Sequence, residues 1–269
     1  MTDFLNYDFM RNALLAGILS SIACGIIGTL VVINRLSSLS GGIAHTAYGG
    51  LGLSVFFKLP LLLGAMIFSL MSTFIMGYIS SEKKERSDTL IGVIWAMGMA
   101  FGIIMIDLSK GYYADILSFL FGSILAVSNN SIIFLLIIDI LCVLTITLFY
   151  KEIIAFSYDE EFAQICGIRV KLLYYFLLVL ITFCIIGLIR IVGLILVIAL
   201  FTIPPSIAEL FTNKIKNIII YSTILGIFFT IFGLIVSYYL NLTAGATIIL
   251  ILGISYFCSF CGKKIICKK

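Results

Sequence analysis

Apolar runs of about 20 residues recur along this 269-residue chain, separated by short polar connections. Crossing about 30 Å of hydrocarbon at 1.5 Å per residue takes a helix of about that length. The pattern predicts nine spans: Asn12–Ile33, Leu39–Phe57, Pro60–Ile79, Thr89–Ile106, Ser131–Tyr150, Leu172–Leu188, Ile191–Phe211, Asn217–Leu240 and Leu242–Cys261. The second is weakest by hydropathy, being rich in glycine and carrying a histidine. The first is long, lacks a small-residue cleavage site and is followed by further spans, so it reads as a span and not as a removed signal peptide. Gly111–Asn130 is apolar for only about a dozen residues, between Asp115 and two asparagines. That suits a re-entrant or interfacial helix, or an ordinary surface helix, better than a crossing.

Composition sharpens this. Apolar residues make up 62% of the chain and charged ones 11%, with a mean hydropathy of +1.24. A soluble domain has nearer 25% charged residues, roughly. A soluble enzyme, a DNA-binding domain and a disordered chain are thereby excluded. The net charge of +4 is spread in short clusters between apolar runs, which is no nucleic-acid signature. Four of the seven cysteines (Cys24, Cys142, Cys166, Cys184) sit singly in or beside apolar runs, and Cys258, Cys261 and Cys267 form a CxxC with one outlier. With no fourth ligand nearby, a reduced cytoplasmic tail fits these better than a structural metal site.

The basic residues orient the chain. With the N-terminus outside, 13 Lys and Arg fall in inner segments and four, Arg11, Lys58, Lys110 and Arg190, fall outside. The positive-inside rule therefore selects N-out, C-in. No repeat or linker divides the chain, which reads as one all-α, polytopic membrane domain over residues 1–269.

Polar groups within the spans are costly, so they face a partner or a pathway. His45 is the single histidine, within SGGIAHTAYGGLGL. Gly41, His45 and Gly49 share one helical face, and Gly42, Thr46 and Gly50 form the next row. Small residues at this spacing let helices approach closely. His45 is either hydrogen-bonded across a helix pair or a metal ligand. Asp139, central in its span, is either a pathway group or a buried packing contact; ionised and unpaired it costs ~2.5–3.5 kcal/mol. Glu209 near the inner end of the seventh span suits a snorkelled or capped carboxylate. Pro204–Pro205 removes two backbone donors, predicting a kink or break. Tyr158–Val170 lies inside by the charge count and reads as a short amphipathic helix, with Asp159, Glu160 and Glu161 at its start, Phe162 and Ile165 along one side and Gly167 as its stop. Such a helix fits a partner's groove or lies on the inner membrane surface. The chain holds no GxxxxGK[ST] loop, no HExxH pair and no GxSxG elbow. It is expected not to be an enzyme, so any ATP-driven step needs another polypeptide.

Three segments together resemble the permease family of metal-ion ABC importers, which take up zinc, manganese or iron. They are the histidine-containing Ser40–Leu53, LSFLFGSILAVS at Leu117–Ser128, and the block Tyr158–Phe211 with Asp159, Ala163, Gly167, Arg190, Val192, Gly193 and IPPSIA in the family's order. The resemblance covers roughly Asn12 to Gly253. It implies a prokaryotic inner-membrane permease that pairs with a second copy of itself, two ATPase subunits and an extracellular or periplasmic metal-binding protein. The transported divalent metal is cargo, and no resident cofactor is expected. It also implies that Asp159, Glu160, Phe162, Ala163 and Gly167 belong to the helix docking on the ATPase, and that His45 contacts the metal. Many members carry an aspartate four residues before that histidine, where this chain has Gly41. Losing that oxygen ligand shifts the expectation from manganese toward zinc or iron, or toward a metal chelate or another small nutrient. A proton-driven carrier using Asp139 is the reading from outside the family.

Overall fold

The computed structural model describes residues 8–82, 87–109, 119–120 and 122–266. Its long elements are α1 (Asp8–Ile33), α2 (Ser37–Phe57), α3 (Leu61–Glu82), α4 (Ser87–Leu108), α5 (Asn129–Leu148), α8 (Val170–Val192), α9 (Leu194–Phe211), α10 (Ile215–Leu240) and α11 (Ala244–Ile266). Between α5 and α8 lie α6 (Tyr150–Tyr158) and α7 (Glu160–Ile165). The described residues contain no strand. Among the described residues, eight helices are long and apolar enough to cross a membrane. The ninth, α2, has 21 residues, length enough to span, but its glycines and hydroxyls lower its hydropathy. Most of its residues are buried inside the protein, so it need not present an apolar face to lipid.

The expected re-entrant or interfacial segment is described only in part, since residues 110–118 and 121 lie outside the described residues. Residues 122–128 form irregular backbone around a 3-10 turn at Ile124–Ala126. Asn12 Nδ2 pins this segment to α1, donating to the Val127 carbonyl at 3.2 Å and to Asn129 Oδ1 at 3.1 Å. Ser128 then caps α5, its side chain accepting from the Ser131 N–H.

The helices group into two compact units, divided within α8. In the first, α1 packs on α5, α9 and α10, and α9 on α10 and α11. Hydroxyl pairs close the α1–α10 seam: Ser21 with Thr230 at 3.2 Å and Thr29 with Ser222 at 3.1 Å. Such pairs replace the solvent-driven term that lipid does not supply. The second unit holds α2, α3, α4, α6, α7 and most of α8. There α2 packs on both α3 and α4, and Thr73 of α3 pairs with Thr182 of α8 at 2.8 Å.

One expectation is corrected, and of the kink or break expected at Pro204–Pro205 the break is excluded. The sequence placed a span boundary near Leu188–Ile191, but α8 runs on to Val192, and the chain breaks at Gly193, whose φ of +90° only glycine adopts cheaply. Pro204 and Pro205 do not break α9, which is continuous through both. Pro205 leaves the Phe201 carbonyl without its helical N–H, and α1 fills that place. A Cβ on Gly28 would lie 2.5 Å from the Phe201 oxygen, so the two backbones are in contact and the freed carbonyl faces Cα–H donors.

Candidate functional site

The contact of α2 with α4 is a seam of missing side chains. Gly98 faces the Thr46 side chain, a Cβ on Gly49 would sit 2.7 Å from the Gly98 oxygen, and Gly52 meets the backbone of Gly102. Toward α3, Gly50 meets the backbone of Gly64 and Ala65, while Gly42 sits between Ile91 of α4 and Met76 of α3. Gly42, Gly49 and Gly50 are thus closely packed positions, with Thr46 and Gly49 in the α4 contact. Gly41 differs: a Cβ there would meet nothing within 4 Å, so open space lies one turn before His45.

Close backbone approach brings His45 against Trp95 of α4. Their ring centroids are 4.0 Å apart and the rings are 14° from parallel. His45 Nδ1 is enclosed and makes no hydrogen bond among the described residues. The cross-helix hydrogen bond offered as one explanation of this histidine is thus absent at Nδ1. Trp95, whose indole N–H points at Met99 Sδ at 3.1 Å, was not singled out by sequence. Only the pairing of α2 with α4 places it at the site.

Asp139 lies in the other unit. It is buried on α5, beside the Ala23 backbone and Cys24 of α1, and neither carboxyl oxygen has a partner in hydrogen-bond geometry among the described residues. Glu209 is exposed in the last turn of α9, in keeping with a snorkelled side chain. Cys258 and Cys261 are exposed on α11, so the CxxC sits on a helix and not in a trailing tail; Cys267 lies outside the described residues. Among the described residues no three His, Cys, Asp or Glu side chains gather closely enough to hold a metal ion.

The loop between α5 and α8 builds the amphipathic element that the sequence predicted. The Asp159 carboxylate caps α7, accepting from the N–H groups of Glu161 at 2.9 Å and Phe162 at 3.0 Å. Gly167, at φ +83°, ends the turn, and the Ile168 N–H returns to the Ala163 carbonyl at 3.0 Å. Ala163 is fully buried, while Phe162 is 56% and Ile165 83% exposed. An apolar pair is held outward on a short, doubly capped helix.

Residues 6–263 match the ABC 3 transport family. The chain belongs to that family. It is 44% identical over 98% of its length to a membrane protein of Synechocystis sp., covering 94% of that protein. It is 32% identical over 95% of its length to the manganese transport system membrane protein MntC of Listeria monocytogenes, covering 91% of it. Among solved structures, PsaBC from Streptococcus pneumoniae in complex with Fab superposes with a TM-score of 0.85 at 30% identity, covering 96% of this chain and 95% of that one. The all-helical, multi-pass membrane fold is thus the fold of ABC 3 permeases.

Proposed function

We propose that this chain is the membrane-spanning subunit of an ABC importer for a divalent transition metal, driven by a separate ATPase. The observation that carries the reading is the His45 imidazole, the single histidine of the chain, held beside open space at Gly41 in the least apolar spanning helix. A polar imidazole within a spanning helix is costly and so faces a partner or a pathway, and imidazole is the commonest transition-metal ligand. The names of the relatives point the same way, MntC and the permease ScaB of Streptococcus gordonii both being named for manganese. Family membership favours this machine over a proton-driven carrier centred on Asp139.

One chain supplies one imidazole, and a second copy of the permease supplies another. Two imidazoles completed by water form a weak site, which suits an ion that must also leave. With Gly41 giving no carboxylate, the site favours zinc or iron over manganese. The open space at Gly41 also supports a second reading, in which the metal arrives with ligands of its own. The permease sits N-out, C-in in the cytoplasmic membrane, receives its cargo from an extracellular or periplasmic binding protein, and engages the ATPase through Asp159–Gly167.

The complex reconstituted in vesicles with ATP tests this with a panel of Zn²⁺, Mn²⁺ and Fe²⁺. His45→Ala is expected to lower uptake of the favoured ion at least tenfold, roughly the loss of a principal metal contact. Unchanged flux of all three ions would remove the metal role, and uptake of a chelate alone would establish the second reading.

A further inference from the structure

The stacking of His45 on Trp95 has a chemical consequence. A ligating histidine ordinarily donates its second ring N–H to a carboxylate or carbonyl, which fixes its tautomer and the plane of the ring. Here Nδ1 is enclosed without such a partner. The plane is instead set by the indole face, 4.0 Å away and 14° from parallel. Trp95 is itself held in place by the seam that begins one turn after it. Gly98, three residues on, lies against Thr46, and the α2 and α4 backbones touch again at Gly49, Gly52 and Gly102.

The positions one turn before each ring are unfilled on both helices. A Cβ on Gly41 of α2 or on Gly92 of α4 would meet nothing within 4 Å, whereas Gly42, Gly49, Gly50, Gly52, Gly98 and Gly102 all face close neighbours. Gly41 lies four residues before His45, and Gly92 three before Trp95, so both gaps fall about one turn below the stacked rings. The imidazole is therefore clamped on one face, enclosed at Nδ1, and left with Nε2 to meet cargo.

We infer that Trp95 is a positioning residue of the transport site, holding the His45 ring by stacking in the place of the usual hydrogen-bonded partner and thereby setting metal affinity. This rests on the reading of His45 as the metal contact. It is independent of which divalent ion is carried.

The test uses the permease–ATPase complex in vesicles, with Zn²⁺ and Mn²⁺ as the probe ions. Trp95→Phe keeps an aromatic face and Trp95→Leu keeps only apolar bulk. Trp95→Leu is expected to raise the apparent KM about tenfold, as loss of a ligand-orienting partner does, with the maximal rate within about twofold. Trp95→Phe should restore the KM to near that of the unsubstituted chain. Because Trp95 is the single tryptophan of the chain, its emission, with the Trp95→Phe complex as blank, should respond to Co²⁺ in the unsubstituted permease and not in His45→Ala. Equal KM values in Trp95→Leu and Trp95→Phe, with uptake lost in His45→Ala, would overturn the role of Trp95 alone. So would a fall in maximal rate at unchanged KM, which marks a packing role. Full uptake in His45→Ala would overturn the metal-site reading and this inference together.

Discussion

Gly52→Leu is expected to abolish the folded permease, while Gly41→Ala, eleven residues earlier on the same helix, leaves it intact. The difference lies in what each new Cβ would meet. At Gly52 it would overlap the Gly102 backbone, and Gly102 in turn lies 2.5 Å, from its own ideal Cβ, to the Tyr48 carbonyl oxygen. Main-chain atoms of two spanning helices cannot rotate aside as a flexible side chain can, so α2 and α4 would have to separate. Overpacking in a dense core costs about 1–3 kcal/mol, and here separation also removes the close-packing contacts that hold helices together in lipid. The same movement would part His45 from Trp95, so on the proposed reading protein that survived would bind metal poorly. Thermal unfolding of the purified variants followed by loss of monodisperse protein measures this. A Gly52→Leu permease as stable as the unsubstituted one would show that the seam is not a structural constraint. At Gly41, where no atom lies within 4 Å of the added methyl, the midpoint should be unchanged.

Much of this fold is legible in the sequence because lipid imposes a strong filter. A spanning helix must satisfy its own backbone, so length and apolarity alone locate it. The long helices accordingly lie within a few residues of the predicted spans. Boundaries fail where hydropathy does not change. Across Arg190–Leu196 the chain stays apolar on both sides, and the break is written in the backbone angle of Gly193, which no periodicity reveals. The contact of Gly28 with the Phe201 carbonyl that Pro205 leaves free joins residues far apart in the chain, and no local pattern reveals it. The site divides in the same manner. His45 stands out because it is unique and sits within a span. Its partner Trp95 is 50 residues distant, and nothing in either helix says that their faces meet. The capping of α7 was readable, since Asp159, the acidic first turn and Gly167 are local signals. The separate helix α6 was not, because Tyr150–Tyr158 opens on the charged pair Lys151–Glu152 with no glycine, proline or capping residue to mark a new helix.

Phe162→Asp combined with Ile165→Asp should separate the permease from its ATPase without unfolding it. On the proposed reading these two side chains enter the groove of the ATPase, and the structure holds them ready for that. α7 is fixed at one end by the Asp159 cap and at the other by the Gly167 turn, and the buried Ala163 anchors its inner side. Rigid presentation lowers the ordering cost of docking. Both side chains face outward, Ile165 at 83% and Phe162 at 56% exposed, so replacing them removes far less folding energy than a core substitution. An interface anchor is worth about 2 kcal/mol or more, which is roughly thirtyfold in affinity for each, and a carboxylate placed in an apolar groove adds a desolvation penalty. ATP-driven uptake should therefore fall to background and the ATPase should no longer co-purify, while the thermal midpoint of the permease alone stays where it was. Asp159→Ala should act more mildly, since it removes one cap worth about 1 kcal/mol and frays the helix without altering its contact face. Retained co-purification and full uptake in the double variant would place the docking surface elsewhere on the chain.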